Sequence, residues 1–387
     1  MAKKEPEAPP PETYDFGSLA AELEGLDISV GPSQATNDLR GYISTGCAVL
    51  DAAIGQGVAG GYPMGRFTEL YGVEGTGKTT MATSALISCQ RGAGTLLTWV
   101  EEEVSAGVKI WMPRPSGAKL LPGLGILIDS EFKWPVDRAQ AQGLNVSGIV
   151  RIMPKEGKDT ITVEDALAEL DRVIDRIGKN AYFRRPDVPV LVVWDSLASA
   201  PIEAEMEGDG LRDGIASKAR KVRSAMRKMT GRLATHNVTC LIINQVYDKI
   251  GSPYPMVESS GGRGLKFHST LRLEIRKSGD LMEGQEKQGI TTRVKCRKSS
   301  ICPPTFDVEI PIRFSVGIDD DLAILDFFLS KDGHTIITKK GGSWYQVVHP
   351  GLMEPVSFQY KGWPNVLSTV PGLRSHLLSE LQRLIHV

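Results

Sequence analysis

The chain has 387 residues, 41% of them hydrophobic and 24% charged, which is the composition of a globular protein with two or three domains. No apolar stretch approaches the roughly 18 residues that a membrane-spanning helix needs, so no membrane segment is expected. The formal net charge is −1, so any nucleic-acid site must come from a local basic patch and not from the charge of the whole chain.

The beginning of the chain and its cysteines indicate a cytoplasmic protein. Residues 1–13 are charged and rich in proline, without the apolar core of a signal peptide, and they predict a disordered tail. Residues 15–26 could form an amphipathic helix that packs on its own core or on a neighbouring subunit, and the sequence does not separate the two. The five cysteines show neither a C-x-x-C pair nor zinc spacing, which favours reduced, buried thiols.

Residues 70–80 carry a phosphate-loop motif. Gly72, Gly77, Lys78 and Thr79 fit G-x-x-x-x-G-K-[ST], with a strand pattern before the loop and a helical pattern after it. Glycines let backbone N–H groups converge on phosphate oxygens at a helix N-terminus, the lysine adds positive charge, and the threonine hydroxyl can ligate Mg²⁺. The predicted phosphate-binding residues are Gly72, Glu74, Gly75, Thr76, Gly77, Lys78, Thr79 and Thr80.

Beyond this loop, apolar strands alternate with helices, which predicts an α/β fold with a mostly parallel sheet covered on both faces. From residue 271 the apolar period changes to two, so we expect residues 271–275 and 306–312 to be antiparallel strands of the same sheet. Residues 95–123 predict an insertion or a surface β-hairpin. A small α+β domain with a terminal helix is expected at the end of the chain. The predicted domain boundaries are 1–42, 43–330 and 331–387.

Two carboxylates follow buried strands. Asp195 ends an apolar strand, the position from which a carboxylate holds magnesium beside a phosphate loop. Glu131 follows the strand that ends at Asp129, where it could activate water for attack on a γ-phosphate. Because sites in open α/β sheets form beyond the carboxyl ends of strands, both acids should face one crevice. The alternative for Glu131 is a helix N-terminus, where acids are common without any catalytic role.

Asn244 and Gln245 end the next strand and place an uncharged donor near the same crevice, where it could sense a γ-phosphate. Residues 246–262 follow as a long polar segment rich in turn residues, and loops of that length are usually functional or disordered. An aromatic side chain beside a lysine and glycines suits stacking and backbone contact with single-stranded nucleic acid. The predicted DNA contacts here are Lys249, Tyr254, Gly261, Gly262 and Arg263.

Residues 217–233 predict a strongly basic helix. Arg220, Arg223 and Arg227 recur at three- to four-residue spacing, so they share one side of it. This side is either a solvated charged face, the common case for a run of charges, or a surface that follows a phosphate backbone. The helix alone favours neither interpretation.

Nine separated motifs resemble the RecA family of recombinases, in that family's order and at nearly its spacing from residue 43 to about 330. Residues 342–345 also resemble the family's C-terminal domain, and residues 129–132 and 317–319 look closer to the bacteriophage UvsX type than to the bacterial type. The motifs are the phosphate loop, Ser44-Thr45-Gly46, Pro63-Met64-Gly65-Arg66, Asp129-Ser130-Glu131, Asp195-Ser196, Glu205-Met206-Glu207-Gly208, Ala225-Met226-Arg227-Lys228, Asn244-Gln245, and Gly261-Gly262 with Leu265-Lys266-Phe267.

The resemblance implies a P-loop NTPase with a RecA-like core, a twisted central sheet with an antiparallel extension, and a small C-terminal domain. It implies a DNA-dependent ATPase that uses ATP and Mg²⁺, forms helical filaments on single-stranded DNA with ATP at the subunit interfaces, pairs that DNA with a homologous duplex and exchanges strands. Implied partners are a single-strand-binding protein and a loader or mediator, and the implied location is the cytoplasm, at the nucleoid.

The resemblance also assigns roles to residues. It makes Glu131 the general base, Gln245 the γ-phosphate switch and Asp195 with Thr79 the Mg²⁺ site. Lys298 falls where the family reaches a neighbouring subunit's ATP, and residues 205–214 and 246–262 would be the first and second DNA loops. Arg220 and Arg227 fall on DNA-contacting positions, which favours the second interpretation of the basic helix.

Two positions depart from the family, and two other classes of protein compete. Ser300 replaces a second interface lysine, and the tyrosine that stacks on adenine falls near Asp137, with Trp134 close by. A ring-forming motor ATPase of the same fold usually offers an arginine finger and lacks the long second loop. A non-hydrolysing mediator would not need an intact set of Lys78, Glu131, Asp195 and Gln245.

Overall fold

The computed structural model describes residues 39–56, 60–105, 108–206, 211–248, 257–259, 262–331 and 334–385. They belong to one compact unit, Leu39–Val387. The predicted tail and the predicted helix at residues 15–26 lie outside the described residues.

The strands and helices of the described chain are given in chain order. The strands are β1 Gly41–Ile43, β2 Tyr62–Pro63, β3 Phe67–Tyr71, β4 Gly94–Ser105, β5 Val108–Pro115, β6 Leu124–Asp129, β7 Ile149–Ile152, β8 Val190–Asp195, β9 Val238–Asn244, β10 Val246–Asp248, β11 Val257–Ser259, β12 Leu271–Glu283, β13 Glu286–Ser299, β14 Asp307–Arg313, β15 Gly317–Ile318, β16 Ile337–Gly341, β17 Trp344–Val347 and β18 Val356–Gln359. The helices are α1 Ala48–Gly55, α2 Lys78–Arg91, α3 Val136–Ala141, α4 Val163–Lys179, α5 Glu203–Met206, α6 Leu211–His236, α7 Gly262–His268, α8 Asp320–Ser330, α9 Trp363–Thr369 and α10 Leu373–Leu384.

Among the described residues, nine strands form one sheet in the order β15-β14-β13-β12-β3-β9-β8-β6-β7. In this sheet, β12, β3, β9, β8, β6 and β7 each run parallel to their neighbours in that group. The strands β13, β14 and β15 extend the sheet beyond β12 in antiparallel fashion. The predicted α/β fold is confirmed. The prediction for β12 is right for its pairing with β13 and wrong for its pairing with β3. The chain crosses over through the β10–β11 hairpin and α7 before β12, and such a crossover permits parallel pairing.

The two faces of the sheet bury separate sets of alternating side chains. Leu191 and Val193 of β8 pack in the same core as α2, whereas Val192 and Trp194 pack with α4 and α6. Successive side chains of a strand point to opposite faces, so continuous apolar strands need helices on both sides. This arrangement confirms the predicted coverage and leaves the carboxyl ends of the parallel strands open.

The remaining strands form smaller sheets. β4 and β5 are a β-hairpin over residues 94–115, one of the two structures predicted for this region, and β4 also pairs with β1. β16, β17 and β18 form an antiparallel sheet that packs with α9 and α10. Its core is continuous with that of α2, so the predicted domain boundary near residue 330 stays a prediction. No helix in the described ranges combines the length and apolarity that crossing a bilayer requires.

Candidate functional site

A cavity of about 390 Å³ lies beyond the carboxyl ends of β3, β6, β8 and β9, next to the phosphate loop. This is the edge where ligands bind in open α/β sheets, because the loops after parallel strands meet there. Its lining brings together the predicted Lys78, Thr79, Glu131, Asp195 and Gln245. The crevice predicted from the ends of three strands is therefore present.

The glycines of the phosphate loop are required for different reasons. Gly75 and Gly77 have φ of 74° and 95°, a left-handed conformation that side chains rarely adopt. Gly72 has no such φ, but a Cβ there would lie 2.0 Å from the carbonyl oxygen of Ile275 in β12. Gly77 precedes α2, so the loop delivers backbone N–H groups to a helix N-terminus.

Lys78 begins α2, and its ammonium lies under the loop. Its Nζ donates to the carbonyl oxygens of Gly72 at 2.9 Å and Val73 at 2.6 Å. Burial lowers the pKa of Lys78, and the nearby carboxylates of Asp195 and Glu74 oppose that shift. Lys78 forms no salt bridge with any of the residues that the structure describes, so a bound anion would gain from this buried cation.

Asp195 and Thr79 form a pair between β8 and α2. The Thr79 hydroxyl donates to Oδ2 of Asp195 at 2.8 Å. Burial raises the pKa of Asp195 to about 6; the Thr79 hydrogen bond opposes this shift, and Glu131 and Asp129 add to it through charge repulsion. A neighbouring cation would therefore stabilise the ionised carboxylate.

Glu131 is fixed by a turn that follows β6. Asp129 holds this turn because its carboxylate accepts the backbone N–H of Trp134 at 3.0 Å. Oε1 of Glu131 accepts the Ser196 hydroxyl at 2.6 Å and Nε2 of Gln245 at 3.1 Å. Glu131 is therefore a catalytic candidate at the cavity and not a helix N-cap. Ser196 was named from the sequence only within the motif Asp195-Ser196, without a role of its own.

The cavity also has an aromatic and cationic part of its lining. Trp134, Arg138 and Phe314 form this part, and the Arg138 guanidinium lies 5.8 Å from the centre of the Phe314 ring. Asp137, near which the resemblance places the family's stacking tyrosine, does not line the cavity. Arg138 and Phe314 were missed because they come from α3 and the end of β14, and no local pattern connects them.

The basic helix α6 is longer than predicted and has two different sides. One side is engaged within the chain: Lys218 donates to the Ala198 carbonyl at 3.0 Å, Lys221 pairs with Glu164, and Arg232 pairs with Asp175 at 2.6 Å. The other side exposes Arg220, Arg223 and Arg227.

Helix α7 packs against α6 next to this exposed side, with Gly264 of α7 close to Arg223. Burial lowers the pKa of His268 in α7, and the positive charges of Arg223, Lys298 and Arg227 lower it further. Thr230 of α6 contacts Nδ1 of His268 at 3.3 Å. Cations from two elements, α6 and β13, therefore lie close to His268 of α7, an arrangement that suits a polyanion.

The two predicted DNA loops are described only at their bases. Residues 205–206 lie in α5 and residues 211–214 in α6, so the prediction of a loop across 205–214 is wrong at both of its ends. The second loop begins and ends as an antiparallel hairpin of β10 and β11. Gly262 begins α7, and the side chain of Arg263 is outside the described part. The predicted contacts Lys249, Tyr254 and Gly261 also lie outside the described residues.

Lys298 lies at the C-terminus of α7. Its Nζ donates to the carbonyl oxygens of Lys266 at 3.0 Å and Phe267 at 2.7 Å, a favourable place for a cation at the negative end of a helix. Burial lowers the pKa of Lys298, and the neighbouring Arg272 lowers it further. Within one chain, Lys298 therefore supports the helix that closes the second loop.

The chain matches the RecA N-terminal domain family over residues 28–109 and 116–319. The protein RecA of Acholeplasma laidlawii (strain PG-8A) is 30% identical over 335 residues, which cover 86% of this chain and 82% of the relative. The protein RecA of Porphyromonas gingivalis (strain W83) is 32% identical over 304 residues, 78% of this chain and 74% of the relative. That of Staphylococcus aureus (strain Newman) is 30% identical over 303 residues, 78% and 72% of the two chains. The chain belongs to the RecA family of DNA recombinases.

Proposed function

We propose that this chain carries out ATP-dependent homologous recombination: it forms filaments on single-stranded DNA, pairs that DNA with a homologous duplex and exchanges strands, hydrolysing ATP to ADP and phosphate. One contact carries the proposal. Nε2 of Gln245 lies 3.1 Å from Oε1 of Glu131, and the hairpin strand Val246–Asp248 begins at the next residue. One residue therefore touches the candidate hydrolytic carboxylate and starts the candidate DNA loop.

The phosphate loop and the residues around it would divide the hydrolytic work. Backbone N–H groups of the loop and the Lys78 ammonium would bind the phosphates and stabilise the charge that develops on the transferred γ-phosphoryl group. Glu131 would take a proton from the attacking water. Gln245 would exchange its contact with Glu131 for one with the γ-phosphate, and this exchange would move the β10–β11 hairpin.

Thr79 and Asp195 fit a magnesium ion. They supply hard oxygen ligands 2.8 Å apart, and the buried carboxyl gains from a neighbouring cation. Mg²⁺ commonly takes only one or two protein ligands and completes its shell with water and phosphate oxygens. The described residues contain no group of three or more His, Cys, Asp or Glu that could hold a metal by themselves. When bound, the ion would neutralise charge between the phosphates.

The affinity of the ATP complex for Mg²⁺ should fall as the pH drops below about 6. Burial raises the pKa of Asp195 from 3.8 to about 6, so the carboxyl below this pH holds a proton that must leave before metal binds. One proton per ion predicts a loss of about tenfold per pH unit. Mg²⁺ titrations between pH 5 and 8, roughly one unit below and two above that pKa, would measure it. The Asp195→Asn variant reports the contribution of the ATP phosphates alone, and an equal pH dependence in both proteins would contradict this assignment.

Arg220, Arg223 and Arg227 would follow the phosphate backbone of single-stranded DNA. If each neutralises one phosphate, an Arg220→Gln or Arg227→Gln variant should lower the slope of log affinity against log salt by about 0.7. Arg232→Gln is the matched control, because Arg232 lies on the opposite side of the same helix, where it pairs with Asp175 of α4. A wild-type slope in both Arg220→Gln and Arg227→Gln would show that this side of α6 is a solvated charged face and does not bind the phosphate backbone.

The assembled form would place ATP between subunits. Lys298 would reach a neighbour's nucleotide from its place at the end of α7, and residues 1–42 would contribute a helix to the contact between subunits. Residues 43–330 would act as the ATPase and DNA-binding core and residues 331–387 as a small C-terminal domain. A single-strand-binding protein and a loader or mediator are the proposed partners, in the cytoplasm at the nucleoid. A kinship closer to the UvsX type stays a prediction.

Electron microscopy and strand exchange test the proposal together. With single-stranded DNA and a non-hydrolysable ATP analogue, the chain should form helical filaments. With ATP, it should transfer a labelled strand into a homologous duplex and leave a non-homologous duplex unchanged. Closed rings without strand transfer would favour the motor ATPase instead. Binding to another recombinase without any hydrolysis would favour the mediator. No observation on the described residues favours either alternative.

A further inference from the structure

Glu69 is a buried carboxylate in the middle of β3. Its side chain is 0% exposed, although a strand between two others in a parallel sheet would normally be apolar here. Oε1 accepts Nδ2 of Asn244 at 2.9 Å, and Oε2 accepts Nε of Arg272. A buried ion pair is a weak source of stability, because desolvation offsets most of the attraction. The burial of this group therefore calls for another explanation.

The neighbours of Asn244 determine which way its amide points. A carboxylate only accepts hydrogen bonds, so the contact with Glu69 requires the NH₂ group of Asn244 on that side. Oδ1 then faces the backbone N–H of Gln245 and accepts it at 3.1 Å. Asn244 is itself 0% exposed, so water does not compete for these contacts. Glu69 therefore orients an amide that holds the backbone of the next residue.

Gln245 is held at two points as a result. Its backbone N–H donates to Asn244, and its side-chain Nε2 donates to Oε1 of Glu131 at 3.1 Å. A continuous chain of hydrogen bonds thus runs from Arg272 through Glu69, Asn244 and Gln245 to the candidate general base. Every link pairs a donor with an acceptor: Glu69 accepts from Arg272 and from Asn244, and Gln245 donates to Asn244 and to Glu131.

We propose that Glu69 is a positioning residue for ATP hydrolysis: through the Asn244 amide it fixes the place from which Gln245 reaches Glu131 and the γ-phosphate. This inference rests on the proposed function, in which Glu131 and Gln245 act on ATP. Glu69 touches neither substrate nor the reacting atoms. Its effect should therefore appear in the rate of turnover and in its response to DNA, and not in nucleotide affinity.

Exchanging the acid and the amide tests this arrangement. In Glu69→Gln, the new amide puts an NH₂ group against either Asn244 or Arg272, so two donors face each other. In Asn244→Asp, two carboxylates face each other. In the double variant, the glutamine at position 69 donates to the aspartate at 244 and still accepts from Arg272, while the aspartate accepts the N–H of Gln245. The three contacts of the original chain are then restored with the same net charge.

Each single variant should lower kcat by about 10- to 100-fold with an unchanged Kd for an ATP analogue, as expected when a reacting group is displaced without loss of binding. The double variant should recover most of that loss. Asn244→Ala keeps the pair of Glu69 and Arg272 and should show the same loss of kcat, which covers the case that a single variant does not fold. Thermal unfolding of every variant establishes the temperature at which all are compared while folded.

The following results would overturn the positioning role or separate it from the proposed function. Wild-type kcat in folded Glu69→Gln, Asn244→Asp or Asn244→Ala would overturn the positioning role, and so would a folded double variant without recovery. A purely structural pair would change the unfolding temperature and leave kcat unchanged. Glu131→Gln measured in parallel separates this inference from its basis: full turnover there would overturn the proposed role of Glu131 in hydrolysis, on which the inference rests, whereas loss of turnover there with wild-type kcat in the others would overturn the positioning role alone.

Discussion

ATP turnover should fall by about 10²- to 10⁴-fold in a Glu131→Gln variant, or roughly 3–5 kcal/mol of barrier, with nucleotide affinity unchanged. Glutamine is nearly isosteric and keeps an oxygen that can accept from Ser196 and Gln245, so the site should retain its shape. It cannot take a proton from water at neutral pH. The variant therefore removes the base and little else.

Single-turnover hydrolysis and binding of a fluorescent ATP analogue would separate the two effects. Glu156→Gln is a matched control, because Glu156 is an exposed carboxylate that does not line the cavity, and it should hydrolyse ATP at the wild-type rate. Retained hydrolysis in Glu131→Gln would rule out the role of Glu131 as general base.

Replacing Lys78 with alanine should remove both affinity for ATP and turnover. The ammonium lies under the phosphate loop, within 2.9 Å of the Gly72 carbonyl oxygen, in a place where water does not screen it well. Loss of such a preorganised charge typically costs about 10²- to 10³-fold in kcat. Burial lowers the pKa of Lys78, and this desolvation cost opposes the gain from its hydrogen bonds to Gly72 and Val73, so we expect only a small change in the unfolding temperature.

Isothermal titration with ATP and a thermal melt would measure the two quantities on one sample. Lys179→Ala is the control, since Lys179 is exposed at the end of α4 and away from the cavity. Tight ATP binding by a folded Lys78→Ala variant would contradict the role of this residue in phosphate binding.

Local patterns predicted the elements of the site that depend on one stretch of chain. The phosphate loop needs glycines at fixed positions because its backbone has positive φ at Gly75 and Gly77, and this requirement is visible in the sequence. Asp195 and Gln245 were predicted because each ends an apolar strand, and the carboxyl ends of parallel strands meet at one edge.

Contacts between distant segments could not be predicted from such local patterns. Arg138 and Phe314 meet at the cavity only because α3 and the end of β14 lie on the same side of the phosphate loop. The sequence also presented the basic helix as one charged run. Packing against α4 divides it, since Lys221 pairs with Glu164 and leaves Arg223 exposed on the other side.

The series of hydrogen bonds from Glu69 to Gln245 is another feature that could not be predicted from the sequence. In the sequence, Glu69 is a single acid in an apolar strand beside the phosphate loop, and Asn244 is an ordinary strand-end amide. Their contact depends on the register of β3 against β9, which sets Tyr71 opposite Asn244 and Glu69 opposite Ile242. Register between parallel strands is determined by packing and not by any short motif.

The central claim is that one residue, Gln245, connects ATP hydrolysis to the DNA loop that follows it. The rate of ATP hydrolysis measured at increasing concentrations of single-stranded DNA tests this claim most directly. We expect a low rate without DNA, a saturable rise with DNA, and loss of that rise in a Gln245→Ala variant that still binds ATP. A rate that is the same with and without DNA would contradict it.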